Sequence, residues 1–197
     1  MKLEGFKALI FDLDGTLVDS MPLHVAAWQQ TAPEYGLVVD GEWIHQYGGV
    51  PSRKIAAMLA AAQGVTLDCE AVARCKTAYY VAMIGQAVPF PAMLQLVQSM
   101  AGQLPMAIGT GSLRSNAGII LQQSGLGRYI QTLVAADDVT EHKPEPHTFL
   151  LAAQRLGVVP EQCLVFEDTL IGRQAAHAAG MKCVMVVDGE PDWNSLA

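Results

Sequence analysis

The sequence is poor in charged and aromatic residues and contains no long apolar run. Charged residues make up 16% of its 197 positions and aromatic residues 7%, whereas 51% of the residues are hydrophobic. This balance excludes an intrinsically disordered chain and indicates a globular protein. No apolar run reaches the length of about 18 residues that a membrane-spanning helix requires, so none is predicted.

Cysteine is also scarce, and its spacing excludes two further classes of protein. Cys69, Cys75, Cys163 and Cys183 form no C-x-x-C pair, so structural zinc and a disulfide framework are not expected. Cys163 and Cys183 each border a short apolar run, where a thiol behaves as a small core residue. A reducing compartment fits this pattern, and we expect a soluble cytoplasmic protein.

Basic residues are outnumbered by acidic ones, 12 against 19, and the formal net charge is -7. An acidic surface is unfavourable for binding nucleic acid or an anionic membrane, so neither is an expected partner. An anionic substrate would need a site that builds a local positive field from metal and lysine. We expect a monomer or a weak dimer.

Short apolar runs recur along the chain without the alternation typical of a one-sided sheet. They are predicted to be strands of a parallel sheet covered on both faces, at residues 8–11, 106–109, 132–135, 164–166 and 183–187. Helical patterns cover residues 113–124, 146–156 and 170–179. Because strand and helix alternate, the predicted fold class is α/β with a doubly wound, Rossmann-like sheet.

The stretch from about residue 20 to residue 87 interrupts this alternation, because it contains helical patterns and no convincing strand. Helices are predicted after Pro22 and Pro51 and over residues 71–84, since proline suits the first turn of a helix. An all-helical insertion here would cover the sheet edge where doubly wound folds bind ligands. We therefore expect a core domain of residues 1–18 and 88–197 and a helical cap domain of residues 19–87.

The segment F-D-L-D-G-T-L-V-D, at residues 11–19, follows the first predicted strand. Side chains two positions apart on an extended chain point the same way, about 7 Å apart, so Asp12 and Asp14 repel each other unless a cation lies between them. Mg²⁺ is the candidate, and Gly15 permits a sharp turn. One carboxylate could attack phosphorus while the other protonates the leaving oxygen. Asp and Gly are also common in polar turns, which is the alternative interpretation.

The full string D-x-D-G-T-L-x-D resembles the first motif of haloacid-dehalogenase superfamily phosphatases, and the three further motifs of that family follow in order. Thr110, Gly111 and Ser112 resemble the second motif. The resemblance implies that the Thr110 hydroxyl and the neighbouring backbone amides hold the transferring phosphoryl group. A helix N-cap at Ser112 is an alternative that is compatible with this role.

The third and fourth motifs supply the remaining charges of the implied site. K-P-E-P at residues 143–146 resembles the third motif, in which Lys143 would pair with the nucleophile and the phosphoryl oxygens. Glu167 and Asp168 resemble the fourth motif and would complete the metal site. The resemblance thus implies a Mg²⁺ cofactor held by Asp12, Asp14, Glu167 and Asp168, with Asp14 contributing its backbone carbonyl.

Within this superfamily the sequence is similar to the β-phosphoglucomutase-like enzymes, and in particular to bacterial fructose-1-phosphate phosphatases of that group. The implied substrate-binding residues are Gly111, Ser112, Arg114, His24, Gly49, Ser52, Arg53 and Lys76. The phosphate-binding arginine of the mutases falls on Ser52, and an asparagine that binds the second phosphate becomes Arg114. Both departures favour a phosphatase over a mutase. Solvated helix faces are the alternative interpretation of Arg53 and Lys76.

The resulting hypothesis is a Mg²⁺-dependent phosphatase that hydrolyses a small sugar phosphate, similar to fructose 1-phosphate, through a phospho-aspartyl intermediate. Its catalytic residues would be Asp12, Asp14, Thr110 and Lys143. A β-phosphoglucomutase-type phosphosugar mutase is the first alternative. A binding or regulatory protein built on an enzyme fold is the second.

Overall fold

The computed structural model describes residues 3–196 and has a six-stranded sheet at its centre. The strands of the chain are β1 (Ala8–Phe11), β2 (Val18–Asp19), β3 (Val88–Pro89), β4 (Met106–Gly109), β5 (Thr132–Val134), β6 (Cys163–Glu167), β7 (Lys182–Val187) and β8 (Glu190–Asp192). The sheet order is β5-β4-β1-β6-β7-β8, and only β8 pairs antiparallel with its neighbour. The predicted α/β class is confirmed, and the antiparallel edge strand is an addition to it.

Both faces of the sheet are covered, which explains why its strands read as continuous apolar runs. Successive side chains of a strand point to opposite faces. Accordingly, Leu9 and Phe11 of β1 join one apolar cluster, whereas Ala8 and Ile10 join another on the opposite face. Every residue of β1, β4 and β6 is buried. Phe11 and Phe166 stack with ring centroids 4.9 Å apart between two of these neighbouring strands.

The described helices are α1 (Met21–Glu34), α2 (Gly41–Gln46), α3 (Ser52–Gln63), α4 (Cys69–Met83), α5 (Pro91–Met100), α6 (Arg114–Ser124), α7 (His147–Leu156) and α8 (Leu170–Ala178). Helices α2 and α5 were not among the predicted ones. Six residues are too few for α2 to show a helical period, although Asp40 caps it by accepting from the Glu42 amide. Pro91 at the start of α5 was a signal that could have found that helix. None of the described helices is both long and apolar enough to cross a bilayer.

Helices α1 to α4 pack around an apolar cluster of their own, distinct from the clusters on the two sheet faces. Its largest buried members include Trp28, Ile44, Ile55, Leu59 and Val72. The chain enters and leaves this segment through the antiparallel pair β2–β3, in which Val18 lies opposite Pro89. A helical cap would have this arrangement, and the division into residues 19–87 and the core remains a prediction.

Candidate active site

The four sequence motifs converge where the carboxyl ends of β1, β4 and β6 meet at one edge of the sheet. Asp12 follows β1, Thr110 follows β4, and Glu167 is the last residue of β6. Lys143 reaches the same point from the loop before α7. All four side chains are at most 2% exposed, so their charges and hydroxyl must find partners within the protein.

Lys143 lies between two buried carboxylates. Its Nζ donates to Asp12 Oδ1 at 2.6 Å and to Glu167 Oε1 at 2.8 Å. Burial lowers the pKa of Lys143, but the two carboxylates raise it more, so the net pKa lies above its usual value. Burial raises the pKa of Asp12, and the Lys143 ammonium opposes that shift. The lysine is thus held protonated directly beside the candidate nucleophile.

The arrangement of carboxylates fits a divalent cation. Asp12, Glu167 and Asp168 each place one oxygen within 4.8 Å of the others. Asp168 Oδ1 accepts from Thr16 at 2.8 Å, whereas its buried Oδ2 has no hydrogen-bond partner among residues 3–196. Burial, followed by the charge of Glu167, raises the pKa of Asp168 to about 7. A buried oxygen without a partner requires an explanation, and an all-oxygen ligand set is the kind that Mg²⁺ prefers.

The Asp14 carboxylate does not belong to this cluster, because other side chains hold it. Its two oxygens accept hydrogen bonds from Ser20, His24, Tyr80, Thr110 and Ser112. The shortest of these, from the Ser20 and Ser112 hydroxyls, are 2.6 Å each. Burial raises the pKa of Asp14, but His24 and the hydroxyl donors lower it well below its usual value. A contribution of Asp14 to metal binding through its backbone carbonyl remains a prediction.

The buried Lys76 and the partly buried His24 form a chain that ends on Asp14. Lys76 Nζ lies 2.6 Å from His24 Nδ1, and His24 Nε2 lies 3.1 Å from Asp14 Oδ1. A protonated Lys76 makes Nδ1 the acceptor, so Nε2 carries the proton that is donated to Asp14. Burial lowers the pKa of Lys76 to about 8. Burial, and then the charge of Lys76, also lower the pKa of His24.

A cavity of about 330 Å³ lies between the sheet edge and helices α1 to α4. One wall is apolar and includes Trp28, Ile44, Tyr47, Val50 and Ile55. Asp12 and Asp14 lie at its base, with the second motif beside them. This volume is within the range of small-molecule sites, and the cavity joins an apolar wall to a few convergent polar groups.

The loop between α2 and α3 touches the second and third motifs directly. A Cβ added to Gly111 would lie 1.9 Å from the carbonyl oxygen of Gly49, so the two backbones are in close contact. A Cβ on Gly49 would lie 3.3 Å from Lys143 Cδ. The helical segment therefore covers the carboxylate cluster rather than standing apart from it.

Comparison with known families shows which family has this arrangement of motifs. Residues 9–186 match the family of haloacid dehalogenase-like hydrolases, which is most of the chain and includes all four motifs. The chain belongs to this family.

Individual relatives agree with that membership. The fructose-1-phosphate phosphatase YqaB of Escherichia coli is 45% identical over 184 residues, which cover 93% of this chain and 97% of that protein. A phosphorylated carbohydrates phosphatase of Thermotoga maritima is 31% identical over 89% of this chain and 82% of its own length. The crystal structure of β-phosphoglucomutase from Clostridium difficile superposes with a TM-score of 0.86, at 24% identity, over 93% of this chain and 85% of its own. That structure supports the fold.

Most of the substrate-binding residues expected for this haloacid dehalogenase-like hydrolase line the cavity, namely His24, Gly49, Ser52, Arg53, Lys76, Gly111 and Ser112. Arg114 is the exception, since its guanidinium bonds the Leu133 carbonyl at 3.0 Å and also pairs with Asp138. Arg53 reaches the cavity, but its charge is paired with Glu70 at 3.3 Å. The structure therefore holds Arg114 away from the site, whereas Arg53 lines the cavity and forms a solvent-exposed ion pair with Glu70.

Two side chains at the site were not among the predicted site residues. Ser20 donates to Asp14, and the wholly buried Tyr80 donates its hydroxyl to the same carboxylate at 3.1 Å. The Tyr80 ring also stacks on His24 with centroids 4.0 Å apart. Tyr80 follows Lys76 by four positions on α4, so both lie on one helix face, and this spacing could have identified it.

Gly172 makes room for the Glu167 carboxylate. A Cβ at this position in α8 would lie 1.8 Å from Glu167 Oε1, which is far inside van der Waals contact. The other carboxylate oxygen, Oε2, accepts from the amide and the hydroxyl of Thr169, the residue that caps the same helix. A side chain at position 172 would therefore displace Glu167 from Lys143.

We expect the Gly172→Ala variant to lose at least about 100-fold in activity and about 1–3 kcal/mol in stability, because overpacking forces the buried Glu167 to move. Steady-state kinetics and thermal unfolding measure the two effects. The matched control is Gly118→Ala, since Gly118 is an exposed helical glycine of α6 with no atom within 4 Å of an added Cβ. That change should leave activity intact and add up to about 1 kcal/mol of stability. Equal behaviour of the two variants would contradict the assigned packing.

Proposed function

We propose that this protein is a Mg²⁺-dependent phosphatase that hydrolyses a small sugar phosphate, such as fructose 1-phosphate, through a phospho-aspartyl intermediate on Asp12. The observation that carries the proposal is the buried group of Asp12, Lys143 and Asp168, in which one carboxylate oxygen has no partner. The names of the two phosphatase relatives support the substrate class. The cytoplasmic location and the monomeric or weakly dimeric state remain predictions.

In the first step, an Asp12 oxygen attacks phosphorus and the bond from phosphorus to the leaving sugar oxygen breaks. Thr110 and the amides of Gly111 and Ser112 would hold the phosphoryl oxygens, and the Lys143 ammonium would neutralise part of their charge. Mg²⁺ held by Asp12, Asp168 and the Asp14 carbonyl, with Glu167 supporting, would supply further positive charge to the phosphoryl group. Positioning and charge neutralisation are the main requirements of phosphoryl transfer.

Asp14 would give a proton to the leaving sugar oxygen and then take one from the water that hydrolyses the phospho-aspartate. Its present donors favour the ionised form, so protonation requires that some of them find other acceptors. A bound sugar phosphate offers such acceptors to Ser112 and to the chain from Lys76 through His24. Substrate binding would therefore raise the pKa of Asp14 toward its usual value.

The positions of the arginines near the cavity favour a phosphatase over a phosphosugar mutase. A mutase has to hold a second phosphate at the far end of its substrate while the first is transferred. Arg114 is bonded to Asp138 and the Leu133 carbonyl, and Arg53 is paired with Glu70. Arg114, which is bound outside the cavity lining, thus provides no charge for a second phosphate, and this supports a substrate with one phosphate.

Incubation with fructose 1-phosphate and Mg²⁺ should release inorganic phosphate, and a chelator should reduce that release by at least about 100-fold. Without the cation, the carboxylates of Asp12 and Asp168 repel the incoming phosphate dianion. Added Mg²⁺ should restore the rate, which a phosphate assay on one preparation measures. Calorimetric titration with Mg²⁺ of protein from which metal and chelator have been removed should show binding in the absence of substrate.

The alternatives are distinguished when the phosphate assay is combined with analysis of the sugar products. Conversion of a hexose 1-phosphate to the hexose 6-phosphate without phosphate release would support the mutase. Release that is unaffected by chelation would contradict the metal dependence. Failure to react with any phosphate ester, including p-nitrophenyl phosphate, would favour a binding protein built on this enzyme fold.

A further inference from the structure

Asn116 is a buried amide that the catalytic steps proposed above do not use. It lies in the first turn of α6, it is one of the residues that line the cavity, and only 6% of its surface is exposed. Within residues 3–196 its single side-chain hydrogen bond is a long one, 3.5 Å, in which its carboxamide oxygen accepts from Ser115. The carboxamide nitrogen donates to no group in that part of the chain.

A buried amide with unmet hydrogen-bonding capacity is unfavourable unless a ligand or water satisfies it. Apolar side chains of α6, such as those of Ala117 and Ile120, are buried in the core and leave no hydrogen-bonding group unsatisfied. Among residues 3–196, the carboxamide nitrogen of Asn116 is not one of the enclosed polar atoms that lack a partner, so water or a ligand can reach it. Because Asn116 lies in the cavity wall, a bound molecule could supply the missing partner.

The position of Asn116 matches the part of a substrate that leaves. Ser112, which holds Asp14 Oδ2 at 2.6 Å, lies four residues earlier, and Leu113 and Ala136 line the same cavity. Asp14 is the group that would protonate the leaving oxygen. Asn116 lines the same cavity as Asp14 and Ser112, so a sugar bound there beside Asp14 would be the part of the substrate that meets its carboxamide.

We infer that Asn116 is a specificity-determining residue that binds a hydroxyl group of the leaving sugar, an inference that rests on the proposed phosphatase function. A hydroxyl both donates and accepts, so it pairs with the carboxamide in either orientation of the amide. A site built to bond a hydroxyl discriminates strongly against substrates that lack one, because its own polar group is then left unpaired. Polyhydroxylated phosphate esters are therefore preferred over aryl esters.

The test compares fructose 1-phosphate with p-nitrophenyl phosphate, which has no hydroxyl group on its leaving part. In Asn116→Ala, kcat/KM for fructose 1-phosphate should fall by about 10- to 100-fold. The value for p-nitrophenyl phosphate should stay within about two-fold of wild type, since the phosphoryl site is unchanged. Asn116→Ser, which keeps a short polar group, should recover part of the lost activity, and it provides the same ratio if the alanine variant does not fold.

The neighbouring variant Ser115→Ala is the matched control, because it removes the 3.5 Å contact to Asn116 from a residue that does not line the cavity. It should leave kcat/KM unchanged for both substrates. Equal losses on both substrates in Asn116→Ala would assign a structural role and overturn the inference, as would wild-type values of kcat/KM for both substrates. Wild-type hydrolysis of fructose 1-phosphate tests the proposed function separately, so its absence would overturn that function before any variant is compared.

Discussion

The Asp12→Asn variant should release no measurable phosphate, with kcat lower by about 10⁴-fold or more. An amide is a poor nucleophile toward phosphorus and cannot form the acyl phosphate on which the proposed mechanism depends. The fold should survive, because asparagine has nearly the same shape and Lys143 keeps its 2.8 Å bond to Glu167. Initial rates with fructose 1-phosphate and Mg²⁺ measure the effect, and thermal unfolding verifies that the variant is folded.

Asp19→Asn is the matched control for this prediction. Asp19 belongs to the same motif and undergoes the same chemical change, but its side chain is exposed on β2, away from the carboxylate cluster. Its activity should remain within about two-fold of wild type, as expected for a surface change. Turnover at the wild-type level in Asp12→Asn would show that the nucleophile lies elsewhere and would contradict the phospho-aspartyl mechanism.

The second large effect is expected in Asp14→Asn, and it should depend on the leaving group. For fructose 1-phosphate, kcat/KM should fall by about 10³-fold, because a sugar alkoxide leaves poorly without a proton from Asp14. For p-nitrophenyl phosphate the fall should be about 10-fold or less, since p-nitrophenolate is stable without protonation. The ratio kcat/KM reports the first irreversible step, so it isolates this role from the later activation of water.

Turnover gives an independent measurement of the second role of Asp14. Because hydrolysis of phospho-Asp12 needs the same carboxylate as a base, kcat should fall for both substrates, and a burst of p-nitrophenol should precede the slow steady state. Equal losses of kcat/KM for the two esters would instead indicate that Asp14 positions its neighbours and does not transfer the proton. The Asp19→Asn variant is again the control for an equal change in charge.

The spacing of residues along the chain was sufficient to predict most elements of the core. The predicted strands and the helices beside them agree with the observed ones to within a residue at each end. Parallel strands buried on both faces are continuous apolar runs, so their local composition alone identifies them. The same reasoning missed α2 and the edge strand β8, because three to six residues contain too little pattern to stand out from a loop. It also missed the longer helix α5, although Pro91 marks its start.

The motifs likewise predicted which residues meet at the sheet edge, because each lies at the end of a strand or in the loop before a helix. Asp12 directly follows β1 and Glu167 ends the neighbouring parallel strand β6, so a doubly wound fold brings them together. Their partner Lys143 comes from a loop whose motif is itself recognisable. In these cases local sequence and topology leave few alternatives for the position of the side chain.

The sequence alone thus determined the fold class, the family resemblance and the identity of the central charged residues. Only the tertiary structure decided which partner each of the other side chains takes: Tyr80 bonds Asp14 across 66 positions, Arg114 turns to Asp138, and Asn116 faces the cavity. The physical reason is that spacing restricts where a Cα lies, whereas the direction of a side chain depends on packing between distant segments. The contacts between the helical segment and the sheet edge depend on such packing between distant segments.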